Sequence, residues 1–210
     1  MPHSMKAIGL TKYLPITDKN SLQDIELPLP KPSSHDLLIK VNAISVNPVD
    51  TKVRAPKETV EPSHKILGWD ACGTVVSTGS DVTLFSPGQR VFYAGDITRQ
   101  GCNSEYQVID ERLVGHAPET LNLEEAAAMP LTALTAWEAL FSRLAINLEG
   151  TLPSDASPKS ILIIGGAGGV GSIACQLASK LAGLTVIASA SRPESIAWCK
   201  KMGADYIVNH

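Results

Sequence analysis

Residues 161–171 read Ile-Leu-Ile-Ile-Gly-Gly-Ala-Gly-Gly-Val-Gly, and no other stretch limits the fold as tightly. An apolar, β-branched run of this length suits a buried strand. The residues that follow place Ile173, Ala174, Leu177, Ala178 and Leu181 on one face of a helix over 171–181. Gly166, Gly168 and Gly171 fit the spacing G-x-G-x-x-G in the context that gives it meaning, directly after a strand and opening a helix. The glycines serve the tight turn, the approach of backbone to a pyrophosphate, and close helix-on-strand packing. An anion at that place meets the free N–H groups and positive end of the helix. Gly166, Gly168, Gly169, Val170 and Gly171 are therefore candidate residues for holding a dinucleotide.

The pattern continues with a strand over 184–188, a helix over 193–202 with Pro193 in its first turn and Gly203 at its end, and a strand over 205–208. Strands alternating with helices imply a parallel sheet with right-handed crossovers. The end of the second strand selects the nucleotide. An NAD site places Asp or Glu about 20 residues beyond the glycine turn. Here Ser189-Ala190-Ser191-Arg192 stands there, with no acid before Glu194. Small hydroxyls and a guanidinium suit a 2′-phosphate, so NADP(H) is the expected cofactor, with Ser189, Ser191 and Arg192 beside it. Ser191 would also cap the following helix.

Residues 1 to about 115 read differently. Short apolar runs at 37–41, 73–76 and 88–93 are separated by Pro, Gly, Ser and Asp clusters, which suggests a twisted or barrel-like antiparallel unit. A helix is expected over 123–128, interrupted by Pro130. A second is expected over 132–144, with Leu134, Trp137, Leu140, Phe141 and Leu144 on one face. Residues 149–158 have loop composition. The organisation expected is a β-rich domain over 1–120, connecting helices and a loop over 121–158, and a nucleotide-binding half-domain over 159–210.

A net charge of −3 without a Lys/Arg-rich run argues against nucleic-acid binding. No run of about 18 apolar residues is present to span a membrane. Met1 to Met5 lacks the basic-then-apolar pattern of an export signal. Cys72, Cys102, Cys175 and Cys199 form no Cys-x-x-Cys pair, so they are expected as free thiols in a reducing, cytoplasmic setting. His3, His35, His64, His116 and His210 are scattered and are expected at the surface. Tyr93 and Asp96, just after an expected strand, are candidates to line a cleft, whereas Trp69 is expected to pack.

Taken along the whole chain, Met5-Lys6-Ala7-Ile8, Ser45-Val46-Asn47-Pro48-Val49-Asp50, Leu67-Gly68-Trp69-Asp70 and Pro87-Gly88-Gln89-Arg90-Val91 occur in order. They are followed by Glu125-Ala126-Ala127-Ala128-Met129-Pro130-Leu131-Thr132-Ala133-Leu134-Thr135-Ala136-Trp137 and then the glycine turn. In this the chain resembles the medium-chain dehydrogenase/reductase superfamily, in the branch of zinc-type alcohol dehydrogenase-like proteins and zinc-independent quinone oxidoreductases. The resemblance implies an α/β fold, a GroES-like β-rich catalytic domain followed by a partial Rossmann domain of one βαβαβ half. It implies an oxidoreductase that moves a hydride from NADPH to a quinone or an activated C=C such as an enone. An NADPH-binding protein without turnover, or an inactive truncated fragment, is the alternative.

The resemblance assigns Asn47 as the active-site asparagine and Thr135 as the threonine that meets the nicotinamide; Tyr93 completes the candidate catalytic set. Arg54, after the Asn-Pro-x-Asp block, is a candidate for touching substrate. The tyrosine that donates a proton in some enoyl reductases is absent between Asp50 and Gly68, which leaves water as the donor. Two departures from the family carry expectations of their own. Its zinc-binding His-Glu pair is replaced here by Trp69-Asp70, and its early zinc-binding Cys by Asn47, so no catalytic metal is expected. Family members also continue well past residue 210, so the chain is expected to be C-terminally incomplete. A small-molecule substrate is the expected partner, and a homodimer the expected assembly.

Overall fold

Alternation of buried and exposed side chains builds the first part of the molecule. In the computed structural model, which describes residues 2–148 and 159–209, strand β1 (Ser4–Tyr13) turns Met5 and Ala7 inward and Lys6 and Ile8 outward. The loop expected over 149–158 and His210 lie outside the described residues. The chain divides into two units, Met1–Leu131 and Thr132–His210.

In the first unit, β1 pairs antiparallel with β2 (Gln23–Pro28) on one side and β4 (Lys57–Ile66) on the other. A second sheet is centred on β3 (Asp36–Ile44) and β5 (Ala71–Thr78), flanked by β6 (Arg90–Tyr93), β7 (Tyr106–Asp110) and β8 (Gly115–His116), in the order β7-β3-β5-β6-β8. All its pairings are antiparallel. The β3–β5 register shifts between Leu38 and Ile39 and again between Val41 and Ala43. Such bulges strengthen local twist and bend a strand. Leu37, Ile39, Ala71, Val75, Val91, Tyr93, Cys102 and Ile109 fill the core. The expected runs at 37–41, 73–76 and 88–93 fall in β3, β5 and β6. Helix α1 (Pro48–Arg54) connects β3 to β4.

Helix α2 (Leu123–Ala127) opens on a reciprocal cap: Asn122 Oδ1 accepts the Glu125 N–H at 2.8 Å, and Glu125 Oε2 accepts the Asn122 N–H at 3.1 Å. Pro130 opens helix α3 (Pro130–Trp137), where its missing N–H costs nothing. The helix continues as wider π-type turns over Glu138–Arg143. These turns break the 3.6-residue period, and only part of the expected apolar face is buried: Leu140 is in the core and Phe141 packs against it. Ala136 and Leu140 are buried, whereas Leu134, Trp137 and Leu144 are exposed.

The second unit carries a parallel sheet in the order β11-β10-β9, formed by β9 (Ser160–Ile163), β10 (Thr185–Ser189) and β11 (Tyr206–Val208). Helix α4 (Gly169–Gln176), continued by π-type turns over Leu177–Leu181, and helix α5 (Pro193–Lys201) complete the β-α-β-α-β order. Ile163, Val186 and Ala188 pack with Ala174, Cys175, Ala178 and Cys199 of the helices, and with Ala136 and Leu140. All four cysteines are buried and free. Among the described residues no helix is long and apolar enough to cross a membrane.

Candidate cofactor and active site

The turn between β9 and α4 has the shape its glycines require. A Cβ on Gly171 would stand 2.3 Å from the Gly165 carbonyl oxygen, and one on Gly166 would stand 2.7 Å from the Ala188 side chain. Any larger residue would push helix from strand. Gly168 is the residue before the helix, in extended backbone, and offers no side chain to occupy the helix end. The first bond inside α4 runs from the Ser172 N–H to the Gly168 carbonyl at 2.8 Å. The N–H groups of Gly169, Val170 and Gly171 precede it, at the positive end of the helix. A Cβ on Gly169 would meet Thr132 Cγ2 at 3.1 Å, so α3 lies against this turn. Thr135 follows Thr132 by one helical turn and is exposed. These residues fit a dinucleotide pyrophosphate.

Ser189 does a different job from the one expected of it. It is buried; its hydroxyl accepts the Gly165 N–H at 2.9 Å and its carbonyl accepts the Gly166 N–H at 3.2 Å. It clamps the glycine turn from beneath. Ser191 and Arg192 are exposed. The residue that caps α5 is Arg192, not Ser191, and it contributes no side-chain cap bond. Its guanidinium lies 3.3 Å from Glu194, with the two side chains 76% and 71% exposed. A surface pair this open contributes little, so the guanidinium stays available to a stronger anion.

In the first unit, Asn47 caps α1 and is buried. Its N–H donates to Asp50 Oδ2 at 2.7 Å, and its side-chain Nδ2 donates to Asp70 Oδ2 at 2.9 Å. The second oxygen of Asp70 accepts the Leu131 N–H at 3.0 Å. Asp70 is fully buried just before β5. Burial pushes its carboxyl up; the Asn47 amide and the Leu131 N–H pull it back, the Asp50 charge raises it again, and it stands at about 6. Gly68 turns the chain into this position with φ +99°, a conformation that strains other residues. The pairing of Asn47 with Asp70 is invisible to a reading of either residue alone. The signal for it is the lone acid within the apolar run Ile66 to Cys72.

Tyr93 is a core residue. It is buried, its hydroxyl donates to Gln107 Oε1 at 2.9 Å, and burial holds its phenol well above the usual value. It points inward because it shares strand parity with Val91. The Asp96 carboxylate accepts from the Thr98 N–H and hydroxyl, closing its own turn. Trp69 packs with Leu10, Tyr13 and Leu67 and donates its indole N–H to the Asp96 carbonyl at 3.2 Å. Arg54 donates to the Leu14 carbonyl at 3.2 Å, tying α1 to the end of β1. Among the described residues no three His, Cys, Asp or Glu side chains are grouped as a metal ion would need. Of the positions that the resemblance sets against the family's zinc ligands, Asn47 and Trp69 direct their N–H groups to protein acceptors, and Asp70 has both oxygens engaged. This donor set does not fit zinc.

Two family models match: the alcohol dehydrogenase GroES-like domain over residues 33–132, and the zinc-binding dehydrogenase over 169–210. A zinc-type alcohol dehydrogenase-like protein of Staphylococcus aureus, SAV2186, is 50% identical over 206 residues, which is 98% of this chain and 60% of that protein. The chain belongs to the medium-chain dehydrogenase/reductase superfamily. Within it, the chain is similar to a solved protein of Rhizobium etli CFN 42 described as a zinc-dependent alcohol dehydrogenase, with a TM-score of 0.91, 54% identity, and coverage of 100% of this chain and 60% of that one. It is also similar to the quinone oxidoreductase of Escherichia coli complexed with NADPH, with a TM-score of 0.73, 26% identity, and coverage of 97% and 58%. This medium-chain dehydrogenase/reductase chain thus spans about 60% of the length of the relatives it matches.

Proposed function

We propose that the chain acts in an NADPH-linked oxidoreductase that reduces a quinone or an activated C=C without a catalytic zinc. The observation that carries this reading is the glycine turn, packed so closely that Gly166 and Gly171 admit no side chain. NADPH, when bound, supplies the hydride. The N–H groups of Gly169, Val170 and Gly171 hold its pyrophosphate, and Ser189 keeps the turn in shape for it. Ser191 and Arg192 face its 2′-phosphate, the guanidinium leaving Glu194 for the more highly charged partner. Thr135, on the face of α3 that Thr132 sets against the turn, orients the nicotinamide.

Without a metal, substrate oxygen needs a hydrogen-bond donor where negative charge develops. Asn47 spends one of its two amide hydrogens on Asp70 and gives the other to that oxygen. Tyr93 supports the first unit from within its core and does not meet substrate in this reading. The test is NADPH oxidation by the purified chain against a panel of quinones and enones, with and without a chelator. Acceptor-dependent oxidation, unchanged by the chelator, is expected. NADPH binding with no oxidation across the panel would reduce the reading to a nucleotide-binding module. Activity lost to the chelator would overturn its zinc-free part.

A further inference from the structure

Resting on the reading of Asn47 as the donor to substrate, we propose that Asp70 is a positioning residue that dictates which end of the Asn47 amide faces the site, and that protonating Asp70 turns that amide over. The geometry leaves little choice. Asp70 Oδ1 faces the Leu131 main-chain N–H at 3.0 Å, a donor that can neither turn nor accept. Asp70 Oδ2 faces the Asn47 amide at 2.9 Å, a group that can present either an N–H or an oxygen. An ionised carboxylate only accepts, so it requires the NH2 end of Asn47. A proton on Asp70 is better placed on Oδ2, which leaves Oδ1 at full strength as the acceptor of the Leu131 N–H. On Oδ2 it becomes a donor, and the amide must rotate to bring its oxygen to it. The two ends of an amide are nearly the same size, so rotation needs little repacking; it gives up the side-chain half of the α1 capping box, in which Asn47 accepts the Asp50 N–H, in exchange for the bond to the protonated carboxyl. The Asn47 backbone stays in place through its bond to Asp50. On protonation the turn thus reverses the polarity offered to substrate, from N–H donor to carbonyl acceptor, without moving the chain.

The groups around Asp70 place this change within reach of ordinary pH. Burial and the Asp50 carboxylate on α1 favour the proton; the Asn47 and Leu131 donors oppose it, leaving the carboxyl at about 6. The Cys102 thiol donates to the Asp70 carbonyl at 3.4 Å, and its own proton is held by burial up to about 12, so it does not titrate in this range.

The experiment is nitrogen-15 NMR of side-chain amides in the full chain, with the Asn47 pair assigned by its loss in Asn47→Ala, titrated between pH 8 and 5. The Asn47 signals are expected to move with a single midpoint near 6. In Asp70→Asn, the new amide gives its oxygen to Leu131 and its NH2 to Asn47, so the signals should stay at the acid position at every pH. Turnover provides the second arm. In the native chain kcat should follow the same midpoint. In Asp70→Asn it should be about a hundredfold lower at all pH values, the size of losing one oxyanion donor, with KM for NADPH unchanged. Asn47 signals that do not move in the native chain, or an Asp70→Asn enzyme with native kcat and pH profile, would overturn the proposal. If no quinone or enone supports NADPH oxidation by the native chain, the functional reading fails, and the NMR arm still decides the orientation of Asn47.

Discussion

The two units bury their apolar surface in different ways. In the first, antiparallel strands share a buried cluster in which Leu37, Ile39 and Val91 are at 0% exposure. In the second, helices clothe one face of a parallel sheet. The other face presents Leu162 at 55%, Ile164 at 75%, Tyr206 at 63% and Val208 at 40% exposure. Parallel sheets are ordinarily covered on both faces. Among the described residues, the first unit is held through the strand faces that carry Leu37, Ile39 and Val91, and the second through the helix-covered face and one tight turn. A perturbation of the turn should reach much further in the second unit than a perturbation of its open face.

The harshest test of that contrast is Gly171→Val. With the Gly165 carbonyl 2.3 Å from the nearest possible Cβ, the change should cost more than about 3 kcal/mol, abolish NADPH binding and unfold the second unit while the first still melts cooperatively. Calorimetry with a nucleotide titration checks it; a native-like melt would show that the turn does not hold the unit. Next in size, Ile39→Ala should destabilise the first unit by about 2–5 kcal/mol in denaturant melts.

A smaller effect separates two buried carboxylates of the first unit. Asp70 binds its proton more tightly folded than unfolded, so its ionisation lowers stability as pH rises from the ordinary 3.8 to about 6. Glu111 has the opposite sign. Burial pushes it up, but the Leu84 and Thr83 N–H groups and His35 overcome this and hold it below 4.5, so its contribution is present above that pH and fades as pH falls. Melting temperature followed from about pH 3 to 7 should show Glu111→Gln losing ground as pH rises through the range below 4.5, and Asp70→Asn gaining on the native chain as pH rises toward about 6. Parallel curves for all three would remove the distinction. The smallest effect belongs to the open face: Ile164→Ala should change stability by no more than about 0.5 kcal/mol. A loss comparable to that at Ile39 would mean the face is covered.

Legibility in the sequence ran opposite to structural closure. The second unit was readable because its signals are local: an apolar run, a glycine cluster and an amphipathic repeat lie side by side. What slipped there were single positions. Gly169 starts α4 two residues before the expected start because the low helix propensity of glycine masks it, and Arg192 rather than Ser191 caps α5. The first unit hid β1, β2, β4 and β7. Strand β4 reads Lys-Glu-Thr-Val-Glu-Pro-Ser-His-Lys-Ile, polar and broken by Pro62, because it lies at a sheet edge where water supplies half its neighbours. Asn47 and Asp70 were each visible, but their bond spans 23 residues and exists only once β3 and β5 are paired. A place at the end of a strand suggests a cleft residue, but the parity of Tyr93 with Val91 sends it into the core.

The central claim, that the half-clothed second unit is an NADPH site, is tested most directly by titrating the native chain and Arg192→Ala with NADPH and NADH by fluorescence. The native chain should bind NADPH saturably and more tightly than NADH. Arg192→Ala should weaken NADPH about ten- to hundredfold, the cost of one charge-assisted bond to phosphate, and leave NADH nearly unchanged. Equal weakening of both nucleotides, tighter NADH binding by the native chain, or no saturable binding at all would contradict the account.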